Sequence, residues 1–329
     1  MRDQPVLDVD DLRVEFRTGR ETIHAVNGVS FQVATGETAA ILGESGSGKS
    51  VTAAAIMRLL QSPPAFVTGG AVRFKGKDVL AMPIADWRDS CGREVAMVFQ
   101  DALMSLNPVF SVGWQIAELF RAHSIASGRA ADERAVELLD RVGIPDPARR
   151  AKDYTHQFSG GMRQRVMIAM AIALGPDLLI ADEPTTALDV TVQAQIMELL
   201  EGLREEADMA MILITHDLGV VADAADNVAV MYAGRVVERG PVGDVLRRPG
   251  HAYTLALLDS VPRVQSKGGK LRPIVGSPPD LARIPTGCAF HPRCRFATDI
   301  CRREAPPAVA VAPGCSAECH HVERVFNDG

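Results

Sequence analysis

The chain of 329 residues is short of several things, and each shortage excludes something. No apolar run approaches the ~18 residues that a membrane-spanning helix requires; the best, Val166 to Leu174, reaches about half that length. The start, Met1-Arg-Asp-Gln-Pro, has none of the apolar core of a signal peptide. There is no long basic block either. Lys and Arg number 35 against 41 Asp and Glu, for a formal net charge of -6, which argues against a nucleic-acid-binding surface. No internal repeat is present, and no close Cys-x-x-Cys pair. The expectation is a cytosolic chain that meets a membrane only through a partner. What is abundant is core: 47% hydrophobic residues over this length suggest two domains, or one with an appendage.

Apolar patterning divides the chain further. Strand-like alternation runs through Val6 to Asp10, Leu12 to Phe16 and Val29 to Val33. Buried-strand runs recur at Ala39 to Leu42, Glu94 to Phe99, Asp177 to Asp182 and Met211 to Thr215, with two short strands from Asn227 and Arg235. Helical stripes lie between them, including Trp114, Ile116, Leu119 and Phe120, then Ala135, Leu138, Leu139 and Val142. Alternation of strand and helix predicts an α/β fold with a parallel sheet covered on both faces. The helical block from Val112 to Phe158 interrupts that alternation and reads as an insertion. After Pro249 the chain turns rich in proline, glycine and cysteine, with little periodicity, and reads as a separate module.

The most specific chemistry lies at Gly43-Glu44-Ser45-Gly46-Ser47-Gly48-Lys49-Ser50, which has the form GxxxxGK[ST] between a strand and a helix. Glycines let the backbone N–H groups close on phosphate oxygens, and the following helix adds its positive end. Lys49 supplies a charge for the β/γ-phosphates and the Ser50 hydroxyl a ligand for Mg²⁺. A second buried strand ends in Asp182-Glu183, the carboxylates needed to hold Mg²⁺ and to orient or deprotonate an attacking water. Ser159-Gly160-Gly161 opens an apolar helix and forms another anion-binding terminus, without a lysine of its own. His216 and Gln100 each follow a strand; alone, either is an ordinary surface residue.

As a set, these residues resemble the ATP-binding cassette (ABC) ATPases from about Val6 to Leu246. The resemblance implies a P-loop NTPase (RecA-like) nucleotide-binding domain over 1–248, with an inserted α-helical subdomain at about 101–158. It makes Gly43 to Ser50 Walker A, with Ser45, Gly46, Gly48, Lys49, Ser50 and Val51 on the nucleotide. Gln100 is the Q-loop residue, contacting Mg²⁺ with Ser50 and Asp182. Ser159, Gly160 and Gly161 are the signature, Glu183 the catalytic carboxylate, Asp189 the D-loop residue and His216 the switch histidine. Phe16 takes the place of the adenine-stacking aromatic, although it also suits the core of its strand. Phe158 and Met162 depart from the leucine and glutamine commonest in the signature. The resemblance also implies two cassettes arranged head to tail, each ATP lying between one phosphate loop and the other signature.

Asp101 to Pro108, Phe158 to Ala169 and Asp182 to Gln193 are similar to the oligopeptide/dipeptide importer branch of that family. So are His251-Ala-Tyr-Thr, Gly276-Ser-Pro-Pro and Gly287-Cys288-Ala-Phe-His-Pro-Arg-Cys294 in the tail, 249–329. The implied function is ATP-driven uptake of dipeptides or oligopeptides. Related importers with this tail carry nickel, opines or other small solutes. A soluble ABC ATPase acting on ribosomes or DNA is the competing class, but the paired cassettes, basic linker or coiled coil usual there are missing. Expected partners are a second, different ATPase subunit, two permease subunits and an extracytoplasmic solute-binding protein, at the cytoplasmic face of the inner membrane. Nucleic acid is not among them.

Cys288, Cys294, Cys301 and Cys319 are separated by five, six and seventeen residues. Four thiolates suit a [4Fe–4S] cluster or tetrahedral zinc, and reduced cysteines packed as small hydrophobes remain the alternative. The family resemblance favours the cluster. Cys315 stands outside the pattern as a fifth thiol or an alternate ligand.

Overall fold

The computed structural model describes residues 4–19, 21–186, 188–260 and 272–328. They form two compact units, one of Met1–Ala81 with Leu213–Gly329, the other of Met82–Ile212. The cysteine-rich tail belongs to the same unit as the phosphate loop.

The first unit contains an antiparallel sheet in the order Thr22–Val33, Leu7–Arg17, Ala65–Phe74, Lys77–Asp78. Leu7–Arg17 is one strand, spanning both alternating runs of the sequence. Asp11 has φ 48°, and the pairing register shifts between Val9 and Leu12, so the side-chain alternation breaks without ending the strand. A second set of strands in this unit runs Ala308–Ala312, Cys315–Glu318, Arg235–Pro241, Asn227–Tyr232, Thr38–Leu42. Thr38–Leu42 pairs parallel with Asn227–Tyr232, while Arg235–Pro241 pairs antiparallel with both of its neighbours. The sheet is therefore mixed, and the tail hairpin extends it.

Every residue of Thr38–Leu42 is buried, as suits an apolar strand covered on both faces. At its start the Thr38 N–H donates to Asp226 Oδ2 at 2.8 Å. Leu42 and Val230 share one apolar core with Tyr253 and Leu255 of the helix Ala252–Ser260, with Phe290, and with Val325 of the helix Val322–Phe326. The tail thus packs against the back of the phosphate-loop strand.

In the second unit Val95–Val98 pairs parallel with Leu178–Asp182. Helices Val112–Ala122, Gly128–Arg141 and Pro147–Arg150 lie between them in sequence. Ser111 caps the first by accepting from the Trp114 N–H at 3.4 Å. Gly160–Ile172 precedes Leu178–Asp182, and Val190–Ala207 follows it. Among the described residues no helix is long and apolar enough to cross a membrane.

Candidate functional site

The phosphate loop emerges from Thr38–Leu42 and runs into the helix Lys49–Ile56. Gly48 stands just before that helix at φ 103°, a conformation that L side chains rarely adopt, and a Cβ there would lie 2.3 Å from the Ala25 carbonyl oxygen. Only glycine allows this approach. The loop leaves Ser45, Gly46 and Ser50 exposed and Val51 half-buried. Lys49 is buried, and its Nζ donates to the carbonyl oxygens of Gly43 at 2.8 Å and Glu44 at 3.1 Å. The ammonium is thus held over the loop that would cradle a phosphate. In the same unit Phe16 is half-buried and pairs with Ile23 and Ala65 across its sheet, leaving part of its ring open.

His216 is exposed directly after the buried Thr215. The turn is fixed on both sides. The Asp217 N–H donates to Thr215 Oγ1 at 3.0 Å, and Asp217 Oδ1 caps the next helix through the Gly219 N–H at 2.8 Å.

In the second unit Asp182 is buried at the end of its strand, and Glu183 follows with φ 46°, in left-handed backbone. Such a residue costs conformational energy that surrounding contacts must offset, and it turns the carboxylate out of the strand line. Glu183 Oε2 accepts from Gln100 Nε2 at 3.1 Å and from Thr186 Oγ1 at 2.8 Å. The structure thus joins Gln100 to Glu183 across 83 residues of sequence. Thr186, three residues beyond Glu183, is a partner that its position in the sequence does not by itself mark.

Ser159 caps the helix Gly160–Ile172, accepting from the Met162 N–H at 3.3 Å. Asp189 caps Val190–Ala207 through the Val192 N–H at 3.0 Å. The two caps lie close to each other through Gly161, where a Cβ would sit 2.6 Å from Val192 Cγ1. Gly161 therefore has a packing reason as well as any phosphate contact.

Oxygen donors suit a hard cation such as Mg²⁺, and Ser50, Asp182 and Gln100 all offer them. The tail differs. Among the described residues no group of three or more His, Cys, Asp or Glu side chains is placed to hold a metal ion. The expected [4Fe–4S] or zinc set at Cys288, Cys294, Cys301 and Cys319 finds no support in this geometry. Burial pushes the Cys288 and Cys294 thiols up to about 11, with neighbouring thiols adding to the effect. Cys288, Cys294 and Cys319 pack, partly buried, against the apolar core of the first unit. Cys315 is buried in the tail hairpin, with its thiol also raised by burial. Three further residues escaped sequence reasoning: Glu44 of the loop, with Tyr253 and Arg293 of the tail bonded to it. No local motif marks such a pairing.

Phosphate loop, Asp-Glu strand end and capped signature helix define an ABC-type ATPase, and comparison agrees. The family model for ABC transporters matches residues 26–186, and that for the oligopeptide/dipeptide transporter C-terminal region matches 237–301. A Brucella melitensis protein named for peptide import and ATP binding is 51% identical over 330 residues, 97% of this chain and 98% of its own. The Bacillus subtilis oligopeptide transport ATP-binding protein OppD is 50% identical over 308 residues, 93% of this chain and 86% of its own. Among solved structures, the dimeric post-hydrolysis ATP-binding cassette MJ0796 with ADP and Pi superposes with TM-score 0.64 at 27% identity, covering 72% of this chain and 98% of that one. The chain belongs to the ATP-binding subunits of the oligopeptide/dipeptide ABC transporters.

Proposed function

We propose that the chain is the ATP-hydrolysing, energy-coupling subunit of an importer for dipeptides or oligopeptides. The observation that carries this reading is the joint presence of the cassette motifs and the transporter C-terminal region in one chain about half identical to peptide-import relatives throughout its length. Lys49 and the loop amides take the phosphates. Ser50, Asp182 and Gln100 would hold Mg²⁺, which would supply charge neutralisation at the phosphates. Glu183, oriented by Gln100 and Thr186, accepts the proton of the attacking water. His216 stabilises charge in the transition state. Asp189 and the Ser159-Gly160-Gly161 signature serve the nucleotide of a second cassette, and Phe16 stacks on the adenine.

The segment after Gln100, part of an inserted helical subdomain at about 101–158, is the proposed seat of a permease. Leu103, Met104 and Val109 are more than half exposed there, and Phe110 stacks on Trp114 with ring centroids 4.1 Å apart. Apolar side chains gathered on a surface mark a place where another protein docks. A pair of permeases, a second cassette and an extracytoplasmic binding protein complete the system, at the cytoplasmic face of the inner membrane. A [4Fe–4S] cluster on Cys288, Cys294, Cys301 and Cys319 belongs to the same reading, supported only by the donor chemistry. Anaerobic iron and sulfide analysis tests it, and zinc without iron overturns it.

The test of function is reconstitution of the chain with its neighbouring permease, cassette and binding-protein genes. ATP-dependent uptake of a labelled peptide supports the reading. Uptake of nickel or an opine instead reassigns the solute. Co-purification with ribosomes or DNA and no membrane protein overturns it.

A further inference from the structure

Glu44 is the second residue of the phosphate loop, and its side chain turns away from the exposed face of Ser45 and Gly46 toward the tail. There Arg293 meets it with both arms of the guanidinium: Nη1 to Oε2 at 2.6 Å and Nη2 to Oε1 at 3.0 Å. The Arg293 side chain is only 5% exposed. Nη1 also reaches the Tyr232 hydroxyl at 3.4 Å. The Glu44 backbone is held as well. Its N–H donates to the Tyr253 hydroxyl at 2.9 Å, and its carbonyl accepts from Lys49 Nζ at 3.1 Å.

Glu44 thus has its amide, carbonyl and carboxylate each engaged, two of the three by residues from beyond position 250. The clamp is itself braced. Tyr232, Tyr253 and Phe290 form an aromatic triangle with ring centroids 4.6, 5.2 and 5.4 Å apart. Phe290 directly precedes the short turn His291–Arg293, so one ring of the triangle and the guanidinium belong to the same short segment. A paired, fork-to-fork Arg–carboxylate contact fixes direction as well as distance.

A phosphate would compete with the Glu44 carbonyl for the Lys49 ammonium, so this one of the three holds on Glu44 depends on the nucleotide. The other two, from Tyr253 and Arg293, do not depend on the nucleotide. We infer that Arg293 and Tyr253 of the tail are positioning residues of the ATP site, holding the Glu44 peptide so that the loop keeps its phosphate-binding shape as Lys49 changes partner. This inference rests on the reading of the chain as an ATPase, and it gives the tail a share in nucleotide affinity.

The test uses the full chain, with equilibrium binding of a fluorescent ATP analogue and steady-state ATPase in the assembled transporter. R293M is expected to weaken ATP binding by roughly five- to twentyfold and to raise the KM for ATP alike, with kcat at saturating ATP within about twofold. R293K, which keeps the charge but not the fork, should fall between R293M and the parent. E44Q with R293M should bind about as poorly as R293M alone, because one contact is lost once. A merely structural role lowers thermal stability without this split between KM and kcat. If R293M fails to fold, Y253F carries the test, since it removes only the acceptor for the Glu44 N–H and should weaken ATP binding several-fold. Parental ATP affinity in folded R293M and in Y253F overturns the inference. An unaltered chain that binds no ATP instead overturns the ATPase reading, so the two failures are distinguishable.

Discussion

Gln100 Nε2 donates to Glu183 Oε2 at 3.1 Å, so the strand-end glutamine and the carboxylate that follows the Leu178–Asp182 strand are in direct contact. The same oxygen accepts from Thr186 Oγ1 at 2.8 Å, and Glu183 itself sits in left-handed backbone.

Replacing Glu183 by Gln keeps the shape and the two donors nearby but removes the base. Hydrolysis in the assembled transporter should fall by about 10²- to 10⁴-fold while ATP binding persists. Steady-state phosphate release checks it, and unchanged turnover removes Glu183 from the catalytic role.

Thr186→Val keeps the volume and deletes one hydrogen bond to the carboxylate. Such a bond is worth about 1.5 kcal/mol, so kcat should drop roughly tenfold with little change in ATP affinity. Thr186→Ser should restore most of the loss. A valine variant with parental kcat would show that Gln100 alone orients the base.

Gly161→Ala places a Cβ 2.6 Å from Val192 Cγ1, closer than real Cβ contacts run, against a β-branched side chain that is stiff at χ1. One of the two capped helices must shift. Turnover is expected to fall about tenfold by displacement of the Ser159 cap, and V192A, by clearing the methyl, should recover much of it in G161A. If the double variant is no better than G161A, packing against Val192 is not the reason for the glycine.

Glu238 is buried behind the tail, accepting from the backbone N–H groups of Gly250 and His251, and burial pushes its pKa up from 4.5 to about 7. The folded state therefore holds a proton that the unfolded chain releases near 4.5. Its stabilising contribution is complete below that pH and is lost as pH rises through about 7. His251 opposes it, because burial lowers its pKa to about 3 and the neutral ring favours folding as pH rises toward 6.5. E238Q removes the first term only. Its stability relative to the parent should rise between pH 4.5 and 7, by on the order of 2–3 kcal/mol, in urea unfolding at several pH values. A difference that is flat with pH contradicts the assignment.

Local chemistry explains what was legible in advance. Gly43 to Ser50, Asp182-Glu183 and Ser159 to Gly161 are contiguous runs, each completed by its neighbours along the chain, so spacing alone identifies them. The alternation of Val6 to Phe16 is legible as a strand, and the left-handed Asp11 interrupts it without ending Leu7–Arg17. The tail showed little periodicity, yet it contains the hairpin of Ala308–Ala312 and Cys315–Glu318 and the helix Ala252–Ser260. Its strands are too short for a period to register, and they form because Arg235–Pro241 offers an edge. The cysteine spacing suggests a cluster, and among the described residues no group placed to hold a metal ion supports it.

The sequence by itself determined the phosphate-binding loop, the acidic strand end and the signature, because each depends on backbone geometry that a few adjacent residues dictate. Tertiary structure alone decided that Gln100 meets Glu183, that Gly161 yields space to Val192, and that Arg293 grips Glu44 from 249 residues away. Those contacts depend on where distant segments of the chain come to rest against a common core, and no local pattern of residues encodes that position.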